Sequence, residues 1–150
     1  ISEVITKDGG EFGHGVTYSG HPIACAAALA TLDILEKQNF VSRVANDIGP
    51  YLQSKWHELS DHEIVGHIRG AGMLGSIELV RDKITNERLE PDQKAGGICR
   101  EFCIANNLVM RAVGDSMIIS PPFVCSHEDI DLLIERARKS LDQTAAYYSV

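Results

Sequence analysis

Residues 22–37 read PIACAAALATLDILEK, apolar at nearly every position. Pro22 suits the first turn of a helix, where its missing N–H is not needed. Apolar positions on every side predict a helix that lies buried, its small residues letting neighbours come close. A different rhythm follows. Val41, Val44, Ile48, Leu52, Trp56 and Leu59 fall three and four apart, the stripe of an amphipathic helix. Gly49-Pro50 predicts a kink within it. The texture changes at Asp61. EIVGHIRG and MLGSIELV predict two strands joined by Gly70-Ala71-Gly72. After the polar connection RDKITNERLEP, a helix is predicted over roughly 92–106, with Ala95, Ile98, Cys99, Phe102 and Cys103 on one face and Asn107 closing it in the left-handed conformation. LVMRAV and SMIISP predict strands on either side of Gly114-Asp115. Ser126 and Asp129 are spaced for a capping box, opening a last helix that buries Ile130, Leu133, Ile134, Ala137 and Leu141.

From residue 61 the order is therefore β-β-α-β-β-α. This is an α/β unit with a mixed or antiparallel sheet covered by helices on one face. Before it, ISEVIT reads as a short strand or helix end, and residues 7–20 as a Gly-rich loop. Residues 1–58 make no domain by themselves. Their first helix demands more cover than the remaining sequence supplies, so the chain is expected to belong to something larger or to be tightly oligomeric.

Composition narrows the classes of partner. The chain of 150 residues carries 14 basic and 21 acidic side chains, a net charge of −7. The basic residues are scattered, which argues against a nucleic-acid partner. No apolar run approaches the roughly 20 residues of a membrane helix, and no secretory leader pattern is visible. Cys25, Cys99, Cys103 and Cys125 form no CxxC pair. They read as reduced, mostly buried thiols of a cytoplasmic protein. Cys99 and Cys103 stand four apart on a helix, but no histidine sits at ligand spacing beside them, so no metal site is expected.

Two stretches carry candidate chemistry. In EFGHGVTYSGHP, Gly13, Gly15 and Gly20 free the backbone, Thr17 and Ser19 add hydroxyls, and a helix N-terminus follows. Such a loop holds a phosphate or carboxylate, or is simply a turn of small residues. In LVMRAVGDSMIISPPF, Arg111 ends an apolar strand beside a turn, where its guanidinium can clasp a carboxylate with two parallel hydrogen bonds or sit solvated at a strand rim. Asp115 is its ion partner or a turn residue. Arg69 with Gly70, Gly72 and Gly75 shapes a close backbone approach or a plain hairpin. His67 reads as a strand residue on the wet face, His62 and His127 as surface or cap residues, and Trp56 as core or interface.

The stretch FGHGVTYSGHPIACAAALATLDILE resembles the phosphate-binding loop and following helix of class III aminotransferases, pyridoxal-phosphate enzymes of fold type I. IRGAGMLGSIELV, CIANNLVMRAVGDSMIISPPF and the final amphipathic helix match in order, so the resemblance covers essentially the whole chain and is nearest to the ω-transaminase group. It implies that residues 1–60 are the C-terminal end of the large cofactor-binding domain, a loop plus long helices. Residues 61–150 would be the small α+β C-terminal domain. It implies that Thr17 donates to the phosphate of pyridoxal 5′-phosphate across a dimer interface, with Val16 contributing and Tyr18 beside it. Val16 departs from the aromatic residue many relatives carry. Arg111 matches the mobile carboxylate clamp that binds a keto acid and swings away for an apolar amine. Small-molecule amines and keto acids are the implied partners, in a homodimer or tetramer.

The family's chemistry also needs a lysine that forms a Schiff base with the cofactor and moves the proton. In the family it lies a few dozen residues upstream of the loop, and only sixteen residues precede Thr17 here. Lys7, in the polar stretch TKDGGE, is too near the loop to take that role. The expectation is a C-terminal portion that does not catalyse transamination alone. The competing expectation is a truncated, non-catalytic dimerisation or binding module.

Overall fold

A computed structural model describes residues 2–9, 15–90, 92 and 94–150. The chain divides into two compact units, residues 1–38 and 39–150. The first holds helix α1 (Ser2–Asp8) and helix α2 (Pro22–Lys37). SEVIT thus enters a helix, tied one turn apart by the Lys7–Glu3 ion pair at 2.7 Å. The expectation that α2 lies buried is not met, since none of its residues is buried. Ile23, Leu29, Leu32 and Ile34 are exposed. Its apolar sides lack a covering layer among the described residues, which is the shortage of cover its sequence announced.

In the second unit the stripe over 40–59 is not one smooth helix. Helix α3 (Phe40–Arg43) runs into a π-helical turn at Val44–Ile48, then helix α4 (Gly49–His57) and a 3₁₀ turn, Glu58–Asp61. Pro50 offers no N–H and its ring crowds the preceding turn. The chain answers by widening one turn, so that the Gly49 N–H donates to the Val44 carbonyl five residues back. A Cβ on Gly49 would run into that carbonyl. The expected kink is therefore this π turn. The widened turn also shifts the buried stripe: Phe40 is buried and Val41 is 76% exposed, while Ile48, Leu52, Trp56 and Leu59 are fully buried. Each such side chain contributes roughly 1.5–3 kcal/mol of hydrophobic stabilisation.

Strands β1 (Val65–Ala71), β2 (Leu74–Leu79), β3 (Arg111–Val113) and β4 (Ser116–Ile119) form one sheet in the order β1-β2-β4-β3, antiparallel throughout. Ala71 pairs with Leu74, so the β1–β2 turn is Gly72-Met73 rather than Gly70-Ala71-Gly72, and Gly72 takes φ +54. Gly75, Ile77 and Leu79 of β2 and Met117 and Ile119 of β4 point inward and are buried. Helix α5 (Ala95–Ala105) packs on β3 and β4, α4 packs on β1, and helix α6 (His127–Tyr148) packs on both helices. Asn107 has φ +57 after α5. The Ser126–Asp129 capping box forms at the start of α6: Asp129 N–H donates to Ser126 Oγ at 3.1 Å and Ser126 N–H to Asp129 Oδ2 at 2.9 Å. Alternation leaves the opposite sheet face to His67, Arg69, Ser76, Glu78, Ile118 and Arg111.

Candidate functional site

In the first unit, residues 15–21 wind through two overlapping turns. Ser19 N–H donates to the Val16 carbonyl at 2.9 Å and His21 N–H to the Tyr18 carbonyl at 3.1 Å. The Ser19 hydroxyl is drawn inward, accepting from Val16 N–H at 3.1 Å. Gly20, at φ +74, takes the left-handed bend that a side chain would resist. Thr17 stands at the crest with its hydroxyl making no hydrogen bond among the described residues. Val16 and Tyr18 are 70% and 72% exposed, and the Tyr18 ring lies 5.5 Å from that of His21. His21 precedes α2 without a side-chain cap, and Pro22 follows at its first turn. The loop thus offers a free hydroxyl beside an uncapped helix N-terminus, where an anion is favoured. Gly13, the first glycine of the expected set, lies outside the described residues.

In the second unit Arg111 opens β3 rather than ending a strand, because Leu108 and Met110 turn inward before pairing begins. It pairs across to Ile118 on the open face, is exposed, and makes no ion pair or hydrogen bond among the described residues. Asp115 is not its partner. The Asp115 carboxylate is buried against the N-terminus of α5 and aims at the Ala95 and Gly96 N–H groups without completing a hydrogen bond. Burial, the largest influence, raises its pKa above the usual carboxylate value, against those N–H groups and the Arg88 charge.

The glycines near Arg69 do shape a close approach, but the approaching group is the protein's own. A Cβ on Gly75 would come within 2.8 Å of the Trp56 indole, and one on Gly70 would strike the Gln53 side chain. His62 is not a surface residue: it is buried, its Nδ1 accepts from Ile64 N–H at 3.3 Å, and its Nε2 lies 3.1 Å from Asp142. His127 is exposed at the start of α6, 3.0 Å from Asp47. Cys99 and Cys103 are buried free thiols, and no metal-ligand cluster occurs among the described residues. No described helix is long and apolar enough to cross a membrane. Sequence reading missed the alignment of Arg69 with Arg111. Its signal is strand parity, which becomes usable only once the β1-β2-β4-β3 order is known.

The class-III aminotransferase pattern matches residues 2–141. A putrescine–pyruvate aminotransferase of Pseudomonas aeruginosa is 53% identical over 97% of this chain and 32% of its own length. A mitochondrial gamma aminobutyrate transaminase of Solanum lycopersicum is 39% identical over 96% of this chain and 28% of its own. The omega transaminase of Pseudomonas jessenii in complex with PMP superposes with a TM-score of 0.84 at 30% identity, over 99% of this chain and 32% of that one. The chain thus spans about a third of the length of the relatives it matches. With the matching sheet and helices, these likenesses have one outcome: the chain belongs to the class-III aminotransferase family, an enzyme family that uses pyridoxal phosphate.

Proposed function

We propose that this chain is the C-terminal part of a pyridoxal-phosphate-dependent aminotransferase that moves an amino group from an amine or ω-amino acid to pyruvate or a similar keto acid. The observation that carries the reading is the 53% identity, across nearly the whole chain, to a protein named for putrescine and pyruvate. Residues 1–60 would end the large cofactor domain and residues 61–150 form the small domain. The complete protein would be a homodimer or tetramer. Buried thiols at Cys99 and Cys103 suit a reducing compartment such as the cytoplasm.

The residues present fit the phosphate end of the cofactor: a hydroxyl without a partner at Thr17 and an uncapped α2 N-terminus. Thr17 would donate to that phosphate in the neighbouring subunit, while Val16 and Tyr18 flank it. Pyridoxal phosphate, when bound, supplies the electron sink that loosens a bond at the amine carbon. Arg111 would clasp the acid group of the keto acid through paired, charge-assisted hydrogen bonds. By the resemblance, the reactive lysine lies upstream of the Thr17 loop, outside this chain. Lys7 is exposed and paired with Glu3, Lys37 with Asp33, Lys55 with Glu58 and Lys94 with Asp92. The chain alone is therefore expected to be inactive.

In the complete enzyme, Arg111→Ala should lower kcat/KM for pyruvate about ten- to hundredfold, the ~1.5–3 kcal/mol of a hydrogen bond to a charged group. The half-reaction with an apolar amine should be unchanged. Equal use of acids by the variant would remove Arg111 from the site. A second reading, a truncated module that dimerises without cofactor, has the exposed apolar sides of α2 as its support. It predicts a stable homo-oligomer of this chain with no affinity for pyridoxal phosphate.

A further inference from the structure

Arg111 is not the sole guanidinium on its sheet face. Register carries a straight row across all four strands. Arg69 of β1 pairs with Ser76 of β2, Ser76 with Ile118 of β4, and Ile118 with Arg111 of β3. Directly paired residues share a face, so the row begins and ends on an arginine. Both arginines are exposed, and neither makes an ion pair or hydrogen bond among the described residues. Beside Arg69 the face is not flat: a cavity of about 180 Å³ opens there, lined by Arg69, Gly70, Leu74, Gly75, Ser76 and Ile118, and so it reaches from β1 to the residue paired with Arg111. The glycine backbones and the Leu74 and Ile118 side chains make it apolar, and Ser76 adds one hydroxyl. Glu78 shares the face but stands two residues further along β2, in register with His67 and Ser116. The row itself holds no carboxylate.

The dimensions select a ligand class. Three strand spacings separate the outer backbones, about 14 Å at ~4.8 Å each. Arginines rising from the two outer strands, each with a carboxylate seated on its fork, leave between those carboxylates a gap the length of a short aliphatic chain. An apolar floor under that chain and a cation at each end match a linear dicarboxylate of four or five carbons.

We propose that Arg69 is a specificity-determining residue. It holds the distal carboxylate of a dicarboxylic acceptor whose first carboxylate lies on Arg111, with the carbon chain over Ile118 and Ser76. The proposal rests on the reading of Arg111 as the carboxylate clamp and extends it to a second anionic end. A monocarboxylic acid such as pyruvate then uses Arg111 alone, and a diacid uses both.

Direct binding tests this in the complete protein, with glutarate and butyrate as probes of similar chain length. Wild type should bind glutarate more tightly than butyrate. Arg69→Met should weaken glutarate about ten- to hundredfold, the range expected when a charge-assisted contact is lost. It should leave butyrate within about twofold, because a monoacid does not reach Arg69. Arg69→Lys should restore part of the glutarate affinity, since charge is kept and the fork is lost. Arg111→Met should weaken both acids. If Arg69→Met weakens both acids alike, Arg69 serves only to maintain the fold and the proposal fails. It fails too if glutarate binding is unchanged, or if wild type does not prefer glutarate. If Arg111→Met leaves both acids untouched while Arg69→Met still discriminates, the Arg111 clamp is wrong and the anion site at Arg69 stands.

Discussion

Individual side chains decide how closely the sheet and its helices approach. Gly75 is the plainest case, for the Trp56 indole occupies the space its Cβ would take, with Ile119 at 2.9 Å on the other side. Gly75→Ala should cost about 1–3 kcal/mol, the penalty of overpacking a filled core, read as a lower denaturant midpoint. Asp115 acts through charge. Its pKa is raised by burial, so the folded protein holds that proton more tightly than the unfolded chain does. Its contribution to stability therefore falls as pH rises from the usual carboxylate value through the raised one. Asp115→Asn should gain thermal stability at neutral pH relative to its change in acid, checked by melting both proteins across that range. An equal change at both pH values would show that Asp115 acts through shape alone. At this scale the sequence was partly readable. Trp56 was identifiable as core from its place in a stripe. The burial of His62 was not, because Asp142, its partner, lies 80 residues away.

Among the elements, local signals were the readable ones. The capping box of α6 needs two residues three apart, and the left-handed Asn107 needs one, so both were legible. Ser126→Ala should cost about 1 kcal/mol through the lost cap, seen as a lower melting temperature with the fold retained. The order of strands and helices from residue 61 onward was legible from hydrophobic period alone. The π turn at Val44–Ile48 was not. Pro50 announces a disturbance, but whether the helix bends or takes in an extra residue depends on what packs around it. Arg43 donates to the Phe123 and Cys125 carbonyls, and Tyr51 and His127 stack at 4.1 Å. These contacts tie the widened turn to the approach to α6 and join segments about eighty residues apart in the chain. The placement of Arg111 follows the same logic: its strand parity is local, but its neighbours on the face come from pairings between distant segments.

For the molecule as a whole, the first unit explains the oddity of its sequence. Helix α2 is apolar on every side yet exposed along its length, and on the proposed reading it packs into the large cofactor domain of the complete enzyme. The chain covers about a third of each relative. On the proposed reading that third carries the phosphate-binding loop and the carboxylate-clasping arginine, and four of its six lysines are paired with carboxylates. The central claim is thus that this part binds while another part reacts. The most direct measurement is to incubate the 150-residue chain with pyridoxal phosphate, reduce with borohydride, and weigh the intact product, with the complete enzyme alongside. The account predicts one stoichiometric adduct on a single lysine of the complete enzyme, outside these 150 residues, and no stoichiometric adduct on the chain alone. A single stoichiometric adduct on one lysine of the isolated chain would contradict it.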